Sequence, residues 1–244
     1  MYRNFASRYD ILMKNADYEK RTEFICSLFS AYDRMPALLL DLACGTGEFS
    51  ERFNRKGVSV IGVDISEDML CIARDKSVKN GSDVLYLCQN ATELDLYGTV
   101  DGAVCMLDSL NHITDRDDLK KAISRVSLFL EKDRLFIFDV NTAYKHNKVL
   151  ADNSFVFEEE GFMCVWQNIT ENNVTDMKLD FFTENEKGGY SRSTEYITER
   201  AYTESEIKSV LDAANLEILA VLDDMTGTPA TDKTERAVYV TRKK

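Results

Sequence analysis

The sequence predicts an α/β fold in which a mostly parallel sheet carries helices on both faces and an antiparallel β meander is inserted. Two observations lead to this prediction. Apolar strand-like segments alternate with helical segments from residue 38 to about residue 140, which is typical of a parallel sheet. From residue 151 to residue 200, apolar and polar residues alternate with a period of two between turn residues, which is typical of antiparallel strands.

The first five strands are predicted from short apolar runs that end at polar or turn residues. They cover residues 38–42, 59–64, 84–88, 100–107 and 135–140. Helical periodicity predicts helices at residues 17–32, 46–56, 66–79 and 115–132. The strands are apolar throughout, as expected where both faces of a sheet are covered. Because ligands bind beyond the carboxyl ends of the strands in such sheets, the residues just after each strand are the candidate site.

The rest of the chain is predicted to contain the meander and the end of the main sheet. Meander strands are expected at residues 154–160, 162–170, 174–183 and 189–200. A helix at 203–215 begins with a capping box from Thr203 to Glu206, and two strands follow at 217–223 and 236–241, of which one can run antiparallel. These elements predict a Rossmann-like, seven-stranded, mostly parallel sheet with helices on both faces plus an inserted antiparallel β meander.

Two domains are therefore expected. Residues 1–150 and 201–244 form the main ligand-binding domain, and residues 151–200 form the inserted β subdomain. The first 34 residues make an N-terminal lid or helix, whose aromatic side chains either pack on the main domain or close over a ligand. The meander is either a structural or dimerising platform, which would give a homodimer, or a roof over a substrate pocket.

The composition argues against several classes of function. A formal net charge of −12 disfavours nucleic acid as a partner, because nothing offsets phosphate repulsion. No apolar run has membrane-spanning length and no secretory signal is present, so we expect a cytoplasmic protein without a membrane partner. The six cysteines form no C-x-x-C pair and the histidines are His112 and His146, so no metal site is predicted. Most of the thiols are expected to be small buried side chains.

A glycine turn after the first strand separates two classes of cofactor. A dinucleotide site needs G-x-G-x-x-G, in which a helix N-terminus meets the pyrophosphate. Here Gly45 and Gly47 are followed by Ser50 at the third position, and Asp41 precedes the turn. An acidic side chain beside the turn suits a cationic ligand better than a diphosphate. Asp64 ends the second strand, where it can accept hydrogen bonds from both hydroxyls of a ribose, a feature that both classes share.

These motifs resemble those of the class I S-adenosylmethionine-dependent methyltransferases. The run Asp41-Leu42-Ala43-Cys44-Gly45-Thr46-Gly47 resembles their first motif, which often has glycine at the place of Ala43. The run Gly62-Val63-Asp64-Ile65-Ser66 resembles the second, and the resemblance covers residues 38–135. The N-terminal Phe5-Ala6 and Tyr9-Asp10 pairs are similar to the Phe-Ala-x-x-Tyr-Asp motif of small-molecule methyltransferases.

The resemblance implies S-adenosyl-L-methionine as the cofactor and a set of residues that bind it. Asp41 would lie near its ammonium group directly or through water, Asp64 would bind the ribose diol, and Ile65 would pack on adenine. Many relatives carry an acidic residue where this chain has Asn90, whose amide oxygen can still accept one hydrogen bond. The complete implied set is Tyr9, Asp41, Ala43, Gly45, Gly47, Asp64, Ile65, Asn90, Ala91 and Leu107.

The implied reaction moves a methyl group from the sulfonium to a nitrogen or oxygen of a small-molecule acceptor. Positioning supplies much of the acceleration, and a base is needed only if the acceptor is protonated. His112 and Asp108 are the predicted catalytic residues, with Tyr2, and Asn111 as a hydrogen-bonding group only, as further candidates. A structural histidine is an equally good interpretation of His112, whereas His146 is expected to be solvated at the surface.

Other functions remain open at this level. The meander can dock a protein substrate, which would make the chain a protein methyltransferase. A noncatalytic cofactor-binding or interaction protein can also have this fold. A nicotinamide oxidoreductase is disfavoured because the third glycine is missing. The lid and the meander would determine the acceptor, and neither contains a motif that identifies it.

Overall fold

A computed structural model of the protein describes residues 9–10, 12–185 and 188–244. These residues form five α-helices, namely α1 (Tyr18–Tyr32), α2 (Glu48–Arg55), α3 (Glu67–Asn80), α4 (Arg116–Phe129) and α5 (Glu204–Ala213). The strands of the larger sheet are β1 (Leu38–Leu42), β2 (Ser59–Asp64), β3 (Leu85–Cys88), β4 (Val100–Cys105), β5 (Leu130–Asn141), β10 (Leu216–Asp223) and β11 (Arg236–Lys243). Those of the smaller sheet are β6 (Ser154–Glu159), β7 (Phe162–Glu171), β8 (Val174–Glu184) and β9 (Tyr190–Arg200).

The larger sheet has seven strands in the order β10-β11-β5-β4-β1-β2-β3. The pairs among β1 to β5 are parallel, whereas β11 is antiparallel to both β5 and β10. The predicted Rossmann-like sheet is therefore confirmed, and β11 is the antiparallel strand that the loop before it allows. This order puts β1 and β4 side by side, so that the loops after them meet at one edge of the sheet.

Helices cover both faces of this sheet because its strands present apolar side chains on both sides. On one face, Leu119 and Ile123 of α4 and Ile207 of α5 pack with Leu40 in one buried cluster. On the other face, apolar residues of α1 and α2 pack on Leu39. Successive residues of β1 thus belong to opposite cores, because side chains along a strand point alternately to the two faces of the sheet.

The smaller sheet is an antiparallel meander in the order β6-β7-β8-β9. One face buries Cys164, Met177 and Phe181, which pack with Met69 of α3. Ile169 and Tyr196 are exposed, as is common for an antiparallel sheet with one solvated face. The meander is confirmed, while the division of the chain into domains at residues 150 and 200 and a homodimer through this sheet stay predictions.

Two local expectations are wrong. The helix predicted at 115–132 ends at Phe129, because buried Leu130 already pairs with Val100 of β4. His146 is completely buried rather than solvated, and its Nδ1 shares a 2.7 Å hydrogen bond with Oγ1 of Thr175 on β8. The charged residues around His146 suggested an exposed position, but its side chain connects the segment after β5 to the smaller sheet.

The expectation of mostly buried thiols holds for only part of the set. Cys105 and Cys164 are buried, Cys26 and Cys44 are half-buried, and Cys71 and Cys88 are exposed. Cys71 lies on α3 and Cys88 ends β3, near the edge of the larger sheet. Every helix in the described part of the chain is too short or too polar to cross a membrane.

Replacement of Gly47 by alanine should destabilise the fold more than replacement of another glycine with the same kind of backbone. Gly47 has φ +78°, and a Cβ there would lie 2.3 Å from the Tyr86 hydroxyl. Gly57 has φ +86° with open space around it. We expect about 1 kcal/mol of lost stability for Gly57→Ala from backbone strain, and about 1–3 kcal/mol more for Gly47→Ala from overpacking. Equal urea-unfolding free energies for the two variants would contradict this.

Candidate active site

A cavity of about 620 Å³ lies beyond the carboxyl ends of β1 to β4 and beneath the smaller sheet. Its floor includes residues that end or follow these strands, such as Ala43, Asp64, Gln89 and Leu107. Side chains of β6 to β9 form the opposite wall. The parallel strands therefore place the candidate site where such sheets bind ligands.

Eight of the ten residues expected to bind the cofactor line this cavity. They are Tyr9, Ala43, Gly45, Asp64, Ile65, Asn90, Ala91 and Leu107. Asp41 and Gly47 do not line it. Gly47 instead is the N-cap residue of α2 and packs closely against Tyr86. The structure thus brings most of the predicted set together, and their individual contacts with a cofactor stay predictions.

Asp64 is held in place by two backbone amides. Gly45 N–H donates to its Oδ2 and Ser66 N–H donates to its Oδ1, both at 2.8 Å. Burial raises the pKa of the Asp64 carboxyl, although these amides act in the opposite direction. A carboxylate fixed at the cavity wall with both oxygens oriented is suited to accept hydrogen bonds from a pair of neighbouring hydroxyls.

Asp41 faces away from the main cavity. Its side chain is buried, and Ser50 Oγ donates a 2.5 Å hydrogen bond to its Oδ2. Burial raises the pKa of Asp41 to about 7. Ser50 occupies the position of the third glycine in a dinucleotide motif, so its hydroxyl has a structural task here. Asp41 borders a much smaller neighbouring cavity that Tyr9 and Ala43 also line.

The N-terminal segment touches the glycine turn. Thr46 Oγ1 donates a 2.7 Å hydrogen bond to Asp10, and Lys76 forms a 2.7 Å ion pair with the same carboxylate. Tyr9, next to Asp10, lines the cavity, and burial raises the pKa of its hydroxyl. Phe5, Ala6 and the candidate base Tyr2 lie outside the described residues.

Three residues at the cavity floor have left-handed backbones although none is glycine. The φ angles are +57° at Ala43, +56° at Leu107 and +53° at Asp108. The strained pair after β4 is held by Asp139, whose carboxylate accepts from Leu107 N–H at 2.9 Å and from Asp108 N–H at 2.6 Å. Left-handed backbone at non-glycine residues persists where the surroundings enforce it, and such sites cluster at functional positions.

Asp108 is an ionised carboxylate in a paired network. Arg236 Nη1 lies 2.6 Å from its Oδ1 and 2.7 Å from Asp139 Oδ1, and Asn141 Nδ2 donates to Asp108 Oδ2 at 2.7 Å. Burial alone would raise the pKa of Asp108, but the positive charges of Arg236 and Lys145 outweigh it, so the pKa is well below its ordinary value. Asp108 is thus a weak proton acceptor at neutral pH.

His112 lines the cavity with its side chain 47% exposed. Desolvation by the surrounding residues lowers its pKa, against the pull of Asp108 and Asp64, so the ring is neutral at pH 7. Asn111, in contrast, is fully buried and does not line the cavity. Its Nδ2 donates to the backbone oxygens of Asn141 and Arg200, and its Oδ1 accepts from Asn141 N–H. The expectation that Asn111 bonds an acceptor is therefore wrong.

Glu199 is a cavity residue that the sequence did not reveal. It comes from β9, is 4% exposed, and lies between His112 (3.7 Å) and His146 (3.6 Å). Asn141 Nδ2 donates to its Oε2 at 3.3 Å. Burial and the charge of Asp108 raise the pKa of Glu199 to about 8. The available signal was weak, since a glutamate near the end of an alternating strand is common at protein surfaces.

Asp108, His112 and Glu199 present ligand atoms within 4.8 Å of one another, a spacing that a metal ion can use. Arg236 already neutralises Asp108, and Lys145 donates to neighbouring Asn141 at 3.0 Å. A cation here would therefore meet two positive side chains close by. The donor set suits proton handling better than metal binding.

Comparison with known proteins identifies the family. A methyltransferase-domain family model matches residues 39–133. A protein of Geobacillus sp. (strain WCH70) named as a methyltransferase is 31% identical over 245 residues, covering 99% of each chain. The crystal structure of an S-adenosylmethionine-dependent methyltransferase from Clostridium acetobutylicum ATCC 824 aligns with a TM-score of 0.91 at 34% identity, over 99% of this chain and 98% of that one. This chain belongs to the S-adenosylmethionine-dependent methyltransferases.

The methyltransferase also resembles a relative with a specific name. A dTDP-3-amino-3,4,6-trideoxy-alpha-D-glucopyranose N,N-dimethyltransferase of Streptomyces venezuelae is 24% identical over 220 residues, which cover 87% of this chain and 90% of that one. Membership of the family establishes the chain as an enzyme that uses S-adenosylmethionine and excludes a nicotinamide oxidoreductase. The site fits this cofactor, because the oriented Asp64 carboxylate suits a ribose diol and the acidic cavity suits a sulfonium.

Removal of the Asp64 carboxylate should weaken cofactor binding by the methyltransferase. We expect Asp64→Ala to lose more than ~1.5 kcal/mol of binding free energy for S-adenosylhomocysteine, because charge-assisted hydrogen bonds disappear. Asp64→Asn, which keeps the shape and one acceptor oxygen, should lose less. Titration calorimetry on folded variants measures both. Unchanged affinity in a folded Asp64→Ala variant would refute the assignment.

Proposed function

We propose that the enzyme transfers a methyl group from S-adenosylmethionine to a nitrogen or oxygen atom of a small molecule bound beneath the smaller sheet. The observation that supports this is the continuity of the cavity. The predicted cofactor residues and the inner face of β7 to β9 line the same 620 Å³ space. A roofed cavity of this volume suits a small acceptor beside the cofactor better than it suits a protein segment or a nucleic acid. The Streptomyces relative, whose name gives an amino-sugar substrate, is consistent with a nitrogen acceptor.

The cofactor would supply the activated methyl group on its sulfonium, and the protein would supply position and electrostatics. In this proposal Asp64 binds the ribose diol, while Ile65 and Ala91 contact the adenine. Leu107 and Asp108 lie beside the reacting methyl, and Asp139 fixes their backbone. In-line alignment of acceptor and methyl group then accounts for much of the rate.

His112 and Asp108 would act on the acceptor side. The ionised Asp108 stabilises positive charge that develops on the attacking atom, since its own pKa is too low for it to take a proton. The neutral His112 ring borders the same space and can accept a hydrogen bond from the acceptor. Both assignments extend the proposed reaction and require kinetic tests.

The proposed function is tested by methyl transfer from labelled S-adenosylmethionine into a cell metabolite extract. We expect label in low-molecular-mass products, and Asp64→Ala serves as the cofactor-binding control. Label only in protein would favour protein methylation. Absence of transfer by an enzyme that binds S-adenosylhomocysteine would contradict the proposal.

Loss of the His112 ring should affect turnover more than cofactor binding. We expect His112→Ala to lower kcat by at least about tenfold, because a hydrogen-bonding group at the acceptor is removed. Affinity for S-adenosylhomocysteine should stay within about threefold of wild type. A threefold change corresponds to ~0.6 kcal/mol of binding free energy, which is about the size of an ordinary surface substitution's effect. His112→Gln, which retains a polar side chain, should be intermediate. Equal turnover of wild type and His112→Ala on the true acceptor would assign the ring a structural role.

A further inference from the structure

We propose that Glu199 accepts the proton from the acceptor, and that the acceptor is an apolar amine without a phosphate group. This inference rests on the proposed function and specifies its acceptor and its base. It follows from three features of the cavity, namely the charges that line it, its apolar roof, and the placement of Glu199.

The described residues that line the cavity include acidic side chains but neither lysine nor arginine. Their carboxylates belong to Asp64, Asp108, Asp115, Asp118 and Glu199. Lys145 and Arg236 contact the network behind Asp108 and do not line the cavity. Among these described lining residues a phosphate or diphosphate would find no cationic partner, which disfavours a nucleotide-linked sugar. An ammonium group is favoured by the same charges.

The roof of the cavity is apolar. The inner face of the smaller sheet contributes Phe157, Cys164, Trp166, Met177, Leu179 and Ile197. Trp166 packs against Phe157, with their ring centroids 6.2 Å apart. An acceptor that buries its body here gains by removing apolar surface from water. The body of the acceptor is therefore apolar, and its charged group points toward the floor.

Glu199 is the carboxylate where this roof meets the floor. Its Oε1 faces His112 and its Oε2 faces Asn141 and His146. Nε2 of His146 is buried without a hydrogen-bond partner. When Nδ1 of His146 carries the ring proton and bonds Thr175, Nε2 is an acceptor 3.6 Å from Oε2. A protonated Glu199 would thus be able to donate a hydrogen bond to this buried nitrogen after a small shift.

The proton affinity of Glu199 suits this role. Burial and the negative charge of Asp108 raise its pKa to about 8, against the hydrogen bond from Asn141 and the positive charges of Lys145 and Arg236. Desolvation lowers the pKa of His146 to about 4 and also lowers that of His112, so both rings are neutral at pH 7. Of the two carboxylates beside His112, Asp108 has a lowered pKa and Glu199 a raised one, so Glu199 is the better proton acceptor near neutral pH.

The proposed step is balanced in atoms and charge. The acceptor ammonium first transfers one proton to the Glu199 carboxylate, which leaves a neutral amine and a neutral carboxyl group. The amine lone pair then forms the new N–CH3 bond while the S–CH3 bond breaks. The electron pair of that bond stays on sulfur, so the sulfonium becomes a neutral thioether and the methylated nitrogen carries the positive charge.

The acceptor class is tested with methyl-labelled S-adenosylmethionine and a metabolite extract separated by ion exchange. We expect the labelled product in the fraction that a cation exchanger retains and that partitions into organic solvent at high pH. Label in the fraction retained by an anion exchanger, or a labelled phenol ether, would overturn the amine assignment while leaving the proposed function intact. Absence of label from every fraction, with S-adenosylhomocysteine still bound, would instead refute the proposed function.

The role of Glu199 is tested by comparing Glu199→Gln with wild type on the acceptor that the labelled product identifies. We expect kcat/KM to fall by about 10²-fold or more, a typical contribution of a general base, with S-adenosylhomocysteine affinity within about threefold of wild type. In the wild type kcat/KM should rise with pH up to about pH 8 and then level, because the carboxylate must be ionised to take the proton. In Glu199→Gln this limb near pH 8 should be lost, and kcat/KM should instead rise only at the higher pH at which the acceptor ammonium itself loses its proton.

Two further variants and one chelator make the result decisive. Glu199→Asp retains a carboxylate and should recover part of the lost activity, whereas Glu171→Gln, an exposed position at the end of β7, should behave as wild type. An unchanged pH profile in Glu199→Gln would overturn the assignment. Loss of wild-type activity in EDTA with recovery on added Mg²⁺ or Zn²⁺ would also overturn it, because Glu199 would then be a metal ligand with Asp108 and His112.

Discussion

The ion pair between Asp139 and Arg236 is the interaction on which the site depends. Asp139 is fully buried in β5, and a buried carboxylate is costly unless it is paired and hydrogen-bonded. Arg236 of β11 supplies the charge, and the amides of Leu107 and Asp108 supply the hydrogen bonds. One carboxylate therefore fastens the ends of β4, β5 and β11. It also compensates for the left-handed backbone that turns Asp108 into the cavity.

The same network reaches from the larger sheet to the roof of the cavity. Asn141, two residues after Asp139, donates from one amide nitrogen to both Asp108 and Glu199. The floor that would carry the methyl donor and the wall that would carry the acceptor thus share a single side chain. Methyl transfer depends on the distance and angle between donor and acceptor, and a shared rigid anchor restricts both. Charge balance within the network keeps this anchor stable without bulk water.

The elements, and the position of the cavity beyond the ends of the strands, were predictable because their signals are local. Alternation of apolar residues reveals the strands, and the glycine turn and Asp64 lie at fixed short distances from strand ends. Glu199, Asp139 and Arg236 carry no such signal, because their roles arise from contacts between distant parts of the chain. His146 was misjudged for the same reason, since its burial depends on β8.

The seam between the two sheets has a consequence for protein engineering. The smaller sheet is fastened to the rest of the enzyme by Asn111, which bonds the backbone oxygen of Arg200, and by His146, which bonds Thr175. Asn111 and His146 both lie outside the stretch that forms the sheet. A chimera that exchanges this stretch between family members would receive a new roof with its carboxylate. The position of that roof over the larger sheet would still be set by the host residues at 111 and 146. Recombination of acceptor specificities is thus limited by whether donor and host agree at this seam.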